Sequence, residues 1–394
     1  VATPDLASAR LPWDAANPYP FYEARRREGA VVWDDIAEAW LVLSYDAARQ
    51  VLGGTGWTSD PLANPLARAA MAAAIPDVTS NSMLFADGPA HQRLRGSVRD
   101  VFTRSFVTNL AGGIEAIAST VINQQPAGAE FDFMAEVALP LPVAVIAAWL
   151  DLNPASTELL REVSPVIIRM LGTLADPDEI AAGAVAMATL MADFLPMAAD
   201  RRAHPGDDLL SFIAADPELS LEDVVMTAIL IAVAGHETTA NVLGAGLVRL
   251  LSRDPGRTCI ADNVEPTDQA IVTELLRLDA PVQSTARTAT ANHIVGGAEI
   301  SSGQSALIAI AAANRDPAVF DEPSRFRLDR HAPAPLSFGY GAHYCLGAAL
   351  AQLELAVVLP KILSRQPCLS GPVGWRDTPA IRGPLTVPLI FRSS

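Results

Sequence analysis

Sulfur is scarce in this chain: 394 residues hold only Cys259, Cys345 and Cys368. Three scattered cysteines make neither a disulfide framework nor a zinc spacing, and they suit a reducing cytoplasm. Basic residues are also few. Twenty-eight Lys and Arg against forty-four Asp and Glu leave a net charge of −16, which excludes a general nucleic-acid or anionic-membrane surface. Long apolar runs are missing too. The longest, Val137 to Leu150, is too short to span a bilayer and contains Pro140 and Pro142, so no transmembrane segment is expected. The first residues, VATPDLASARLPWD, show no basic stretch followed by an apolar core, so no signal peptide is expected. No Gly/Ser-rich, Pro-rich or charge-block linker divides the half of the residues that is apolar. The expectation is one large domain over residues 1–394 with a minor β-rich lobe, acting as a monomer.

Helical patterns dominate what is present. Residues 18–35 read as a short helix and then a strand, and AWLVLSYDAARQVL reverses that order, with Ser44 or Asp46 opening the helix. Residues 53–86 are poorly patterned, and loops that long inside compact domains are usually functional or disordered. Helices then prevail to about Leu276. Short β-like runs return between Pro281 and Phe326 and again in RGPLTVPLIF. The fold class is therefore mainly α with small β-sheets.

Four stretches carry chemistry. SLEDVVM opens a long helix with a capping box, Ser220 against Asp223. The apolar pattern runs to Leu251, about 45 Å of helix, interrupted by AGHETTA at 234–240. Gly235 weakens a helix by about 1 kcal/mol relative to Ala, and Thr238 or Thr239 can divert a carbonyl one turn back. An acid beside a hydroxyl over a cavity could relay protons; a solvated polar strip explains the same residues. In ELLR, Glu274 and Arg277 share a helical face, either as a surface pair or as a buried network completed by Arg325. In DGPAHQRLRGSVRDVF, His91 and Arg95 share a face and can hold a carboxylate or phosphate, while Arg93, Arg99 and Arg104 give a basic surface. In SFGYGAHYCLGAALAQLEL, Cys345 stands at a helix mouth, where unpaired N–H groups and the dipole favour thiolate. Gly339, Gly341 and Gly347 allow sharp turns and close approach to a flat ligand. An axial ligand of haem iron, an inert cysteine and a Cys345/His343 nucleophile pair all remain open on those residues.

Taken in order, these stretches resemble the cytochrome P450 family, particularly its soluble bacterial members, over essentially the whole chain. Phe338 to Gly347 looks like the haem-binding signature, Ala234 to Thr239 like the oxygen-activating helix, and Glu274, Arg277 and Arg325 like the structural triad. Gln352 stands where many relatives carry arginine. The resemblance implies haem b ligated by the Cys345 thiolate, with His91, Arg95, Arg287 and His343 neutralising its propionates. It implies that Thr238 holds dioxygen while Glu237 helps deliver protons, and that one oxygen atom is inserted into an apolar small molecule. Electrons would come from NAD(P)H through a reductase and a ferredoxin or flavodoxin, docked on Arg93, Arg99 and Arg104. Residues 62–84, 166–171 and 230–234 would line the pocket, with Arg68 or Arg169 as a substrate anchor. Alternatives within the same resemblance are peroxide use, coupling or rearrangement, and a haem-based ligand or gas sensor without turnover.

Overall fold

The computed structural model describes residues 16–71, 82–172, 177–252, 259–377 and 380–392. Its longest helix, Leu221–Leu251, organises the rest. The Ser220 hydroxyl accepts the Asp223 N–H at 3.0 Å, and the Asp223 carboxylate accepts the Ser220 N–H at 3.1 Å. Two donors that a helix start leaves open are thereby satisfied. Arg93, on the helix Gly88–Gly96, bonds the same carboxylate at 3.0 Å and ties that helix to this start.

The two halves of the long helix sit in different cores. Val224, Ile229 and Val233 pack with Leu94, Leu150 and Phe194. Val242, Leu247 and Leu250 pack with Phe133, Leu355 and Val358. Burying each such side chain contributes about 1.5–3 kcal/mol, so the helix is held at both ends. The polar run 234–240 falls at the seam, where it faces neither core completely.

Small sheets flank the helices, as the sequence pattern implies. The largest has the order Val31–Asp34, Ala39–Val42, Ser305–Ile308, Thr285–Ala289 and Trp57–Thr58. Its one parallel pairing joins Ala39–Val42 to Ser305–Ile308 and so ties the N-terminal hairpin to the later β region. The strand Pro388–Phe391 lies between Glu130–Asp132 and Pro367–Leu369, which closes the chain's tail onto its middle. Part of the unpatterned stretch 53–86 proves to be ordered, with the strand Trp57–Thr58, a single turn at Pro61–Ala63 and the helix Pro65–Met71. Residues 72–81 lie outside the described residues.

Three helices bear on the expected lack of a membrane span. Arg104–Asn123, Asp178–Ala203 and Leu221–Leu251 are all long and apolar enough to cross a membrane by length and composition. Isolated polar residues interrupt each of them, so none is an uninterrupted apolar run. In Leu221–Leu251, 78% of the most apolar window is buried inside the fold, so that hydropathy serves the core.

One expectation, on the ion-pair network, needs correction. Arg277 clasps Glu274 with two bonds of 2.7 and 2.8 Å, and both side chains are buried. The second guanidinium belongs to Arg330, not Arg325. Arg330 Nε donates to Glu274 Oε1 at 2.9 Å, and the Arg327 N–H donates to the same oxygen at 2.9 Å. Arg325 contributes only its carbonyl to Arg277, while its exposed side chain pairs with Glu322. The loop after Pro323 sets which arginine turns inward, and helical spacing carries no information about that. Arg330→Ala should lower unfolding stability by about 1.5–3 kcal/mol, the usual worth of a hydrogen bond to a charged group, since Arg277 still neutralises Glu274. Arg325→Ala should cost less than about 1 kcal/mol. Denaturant midpoints of the two variants check this, and equal losses would contradict the assignment.

Candidate active site

The cysteine loop is built by glycines that cannot be replaced freely. Gly339 and Gly341 have φ of +73° and +78°, a region that side chains rarely adopt. A Cβ on Gly341 would also lie 2.5 Å from the Leu52 carbonyl oxygen, because the loop presses against the end of the helix Tyr45–Gly53. The Cys345 N–H then donates to the Phe338 carbonyl at 2.8 Å and closes the loop. Gly347 differs. It caps the helix Ala348–Ser364 at an ordinary φ of −80°, and a Cβ there would meet only open space.

That space belongs to a cavity of about 350 Å³ lined by Cys345, Gly347, Thr238, Arg95, Arg287 and His343, among others. Cys345 is open to the cavity yet deep within the chain. Burial pushes its thiol pKa up, against the smaller opposing pulls of the Gly347 N–H and Arg95. The helix mouth alone therefore does not secure a thiolate; a bound cation at the sulfur would.

Across the cavity, the central helix presents Ala234, Gly235, Thr238 and Thr239. A Cβ on Gly235 would come no nearer than 4.0 Å to Ile146, so the glycine adds room and is not demanded by packing. The Thr238 and Thr239 hydroxyls each donate to a carbonyl one turn back, Ala234 and Gly235, at 2.9 Å. The polar run thus faces an internal cavity. Glu237 does not share it: this carboxylate is 1% exposed, lies 3.1 Å from Arg376 Nη1, and is not part of the cavity wall.

Four nitrogen-bearing side chains gather at one edge. His91 is buried, its ring centroid 4.2 Å from that of His343, and its Nε2 has no hydrogen-bond partner. Burial, then the nearby His343 and Arg95, push its pKa down to about 4. Arg95 donates to the Tyr344 carbonyl at 2.6 Å and Arg287 to the Ala286 carbonyl at 2.7 Å, so neither has an anionic partner among its described hydrogen bonds. Burial lowers the pKa of both guanidiniums. His343 differs from its sequence expectation, since its Nε2 already faces Asp87 at 3.0 Å and Ser59 at 3.1 Å. Burial opposes charge on Asp87, but hydrogen bonds from Thr58, His343 and Ser59 outweigh it and hold the carboxyl below its ordinary value.

These donors fit a flat, dianionic, metal-bearing macrocycle. An orphaned imidazole nitrogen and two guanidiniums await acidic groups, a sulfur faces the interior, and Gly347 leaves clearance. Two site residues were not singled out from sequence. Asp87 stands just before a helix and resembles a cap, yet its side chain makes no cap bond. Glu354 lines the cavity from an apolar helical pattern that conceals it.

The chain is similar to known proteins along most of its length. The family model described as Cytochrome P450 matches residues 266–366. The chain is 32% identical to cytochrome P450 monooxygenase PikC of Streptomyces venezuelae, over 96% of this chain and 92% of that protein. The chain belongs to the cytochrome P450 family. It is 33% identical to nocardicin C N-oxygenase of Nocardia uniformis subsp. tsuyamanensis, over 90% of each chain. Among solved structures, ligand-free Mycobacterium smegmatis CYP164A2 matches with a TM-score of 0.87 at 31% identity, covering 95% of this chain and 96% of that one. The protein has the P450 fold and is an oxidoreductase of the P450 monooxygenase type.

The glycines separate fold from cofactor. Gly341→Ala should destabilise the protein by about 1–3 kcal/mol through left-handed strain, more if Leu52 cannot yield. Gly347→Ala should keep the thermal midpoint of haem-free protein and lower haem incorporation, read from the haem-to-protein absorbance ratio. Full incorporation would show that the space beside Gly347 is not the cofactor's.

Proposed function

We propose that this P450 binds haem b through the Cys345 thiolate and inserts one atom of dioxygen into a neutral, apolar small molecule. The observation that carries the reading is a single cavity wall that unites Cys345, the Thr238 hydroxyl, Arg95 and Arg287. Bound there, haem would supply the redox centre at which dioxygen is reduced. Cys345 would supply the thiolate that holds the iron, and His91, Arg95, Arg287 and His343 are the groups that would hold the propionates. His343 would do so while keeping its bond to Asp87, which leaves His91 and the two arginines as the donors without a built-in anion. Thr238 would position dioxygen, its hydroxyl giving its own hydrogen to the Ala234 carbonyl and leaving a lone pair to accept from a proton donor in the cavity. Glu237 can assist only by leaving Arg376.

The substrate class follows from the lining. Neither Arg68 nor Arg169 is part of the cavity wall. Arg68 donates to the Leu62 carbonyl, and Arg169 faces Glu179 at 3.3 Å. Leu230, Ile231, Ile146, Phe102 and Val282 surround the space instead, among the described residues. Part of the expected lining, 72–81, lies outside the described residues. The supported reading is an uncharged substrate held by shape and apolar contact.

Electrons would arrive from NAD(P)H through a ferredoxin or flavodoxin and its reductase, in the cytoplasm, where the three free cysteines are at home. Arg93 is engaged by the buried Asp223 at 3.0 Å, whereas Arg99 meets only the exposed Asp100 at 3.4 Å, which favours Arg99 and Arg104 as the docking face. Arg104 stands near enough to Tyr344 to act on its ionisation, which puts positive charge beside the cysteine loop.

Cys345→Ser should abolish the strongly red-shifted absorption of the ferrous carbon-monoxide complex; a retained band would end the thiolate assignment. Thr238→Ala should keep the haem yet divert reducing equivalents from product to hydrogen peroxide. Unchanged coupling would favour peroxide-driven or rearrangement chemistry, and no substrate-dependent NAD(P)H consumption at all would favour a sensor. Reversing Arg99 and Arg104 to Glu should slow reduction by an acidic carrier and flatten its salt dependence, measured by stopped flow.

A further inference from the structure

A second cavity, of about 520 Å³, lies apart from the first and shares no lining residue with it. One side of it is apolar. Ile114 and Val145, both buried, line it from the helices Ala111–Asn123 and Pro140–Leu150, and Ile117 and Trp149 extend that wall. Phe102 and Phe106 hold the Trp149 indole in place, with ring centroids 4.8 and 6.4 Å away. Gly113 keeps the space open. It stands in the first turn of Ala111–Asn123, where a Cβ would meet nothing within 4 Å. Glycine is a poorer helix residue than any but proline, so helix formation does not account for it there. Room does.

The opposite side carries charge of mostly one sign. Asp151, Asp207 and Asp208 line it together with Arg201 and the exposed His204. The single guanidinium is shared among Asp151 at 2.5 Å, Asp208 at 3.1 Å and Asp200 at 3.5 Å, and His204 faces Asp200 at 3.2 Å. Asp208 is held further by the Ser211 N–H and hydroxyl, so this end is fixed before any ligand arrives. Arg201 is already surrounded by acids, and four carboxylates against one arginine leave the end negative. We propose that this cavity is a binding site for a small organic cation, an ammonium group on an aromatic or branched aliphatic body. The body lies against Ile114, Ile117 and Val145. The ammonium sits between the Trp149 indole and the Asp151 and Asp207 carboxylates, which joins cation–π attraction to that of opposite charge. A volume of this order is ordinary for a small-molecule site. Because the two cavities share no residue, this one is filled or empty independently of the monooxygenase reading.

The test uses the haem-loaded protein and benzyltrimethylammonium, a cation with no lone pair to offer iron. Titration calorimetry should show saturable binding with a Kd of about 1 mM or tighter, ordinary for a ligand of that size, and weaker binding at high salt. The haem absorption spectrum should stay unchanged, which places the probe outside the first cavity. Phenylacetate, similar in shape and opposite in charge, should bind at least about 10-fold more weakly. Gly113→Leu should abolish binding by filling the space, with melting temperature and haem content retained. Asp151→Asn combined with Asp207→Asn should weaken binding about 10-fold. Asparagine suits the φ of +52° at position 151, so this pair stays folded and decides the matter even where Gly113→Leu does not fold. Absence of saturable binding would overturn the site, as would a folded Gly113→Leu protein that binds like its parent. Equal affinity for phenylacetate, or an unchanged Kd without the two carboxylates, would overturn the ligand class. A haem spectrum that shifts with the probe, together with binding that survives both variants, would assign the probe to the first cavity and sink the second.

Discussion

Two apolar clusters grip the helix Leu221–Leu251 at its ends and leave its middle turns to the cavity, and the site exists because of that division. A helix apolar all along would be swallowed by a continuous core, and one polar in its middle without firm ends would fray. Here Val224 to Val233 and Val242 to Leu250 supply the grip. Ala234, Gly235 and Thr238 can then face open space. The same arrangement brings the helix bearing Glu354 alongside, since Leu355 and Val358 share the second cluster.

Charge inside this acidic protein is arranged in closed groups, and the exceptions mark the chemistry. Glu274 has Arg277 and Arg330. Asp279 is bonded by Arg249 and Arg382; burial opposes its charge, yet the arginines keep its pKa below the ordinary value. Such groups are costly to break, so they hold the loops after the ion-pair helix firmly in place. At the cavity the pairing is incomplete, although His343 keeps Asp87. His91 Nε2 lacks an acceptor, Arg95 and Arg287 rest on carbonyls, and Glu354 lacks a donor. Unmatched donors at one edge and an unmatched acid at another describe a place built for something other than the polypeptide alone.

Much of this was legible from residue order. Helix starts at Ser44 and Ser220 follow from local hydrogen bonding that a few residues determine, and both caps are seen. Cys345 in its glycines, the threonines at 238 and 239, and the His91–Arg95 spacing are likewise local patterns. Legibility fails where a side chain chooses between two directions. Arg325 and Arg330 are five residues apart in one loop, and only the packed loop tells which reaches Glu274. Glu237 and Thr238 are neighbours in sequence, but a helix turns successive residues by about 100°, so one meets Arg376 and the other the cavity.

The sequence by itself therefore determined the class of fold and marked the cysteine in its glycines, the hydroxyl-bearing turn and the cationic helix. Those depend on residue type and short spacing, which chain order preserves. Only the tertiary structure decided which charges are paired and which are left facing the cavity. Burial and long-range contact set that outcome: Arg376 and Glu237 meet across 139 positions of chain, while Glu354 is buried in an apolar helix with no ion pair among the described residues.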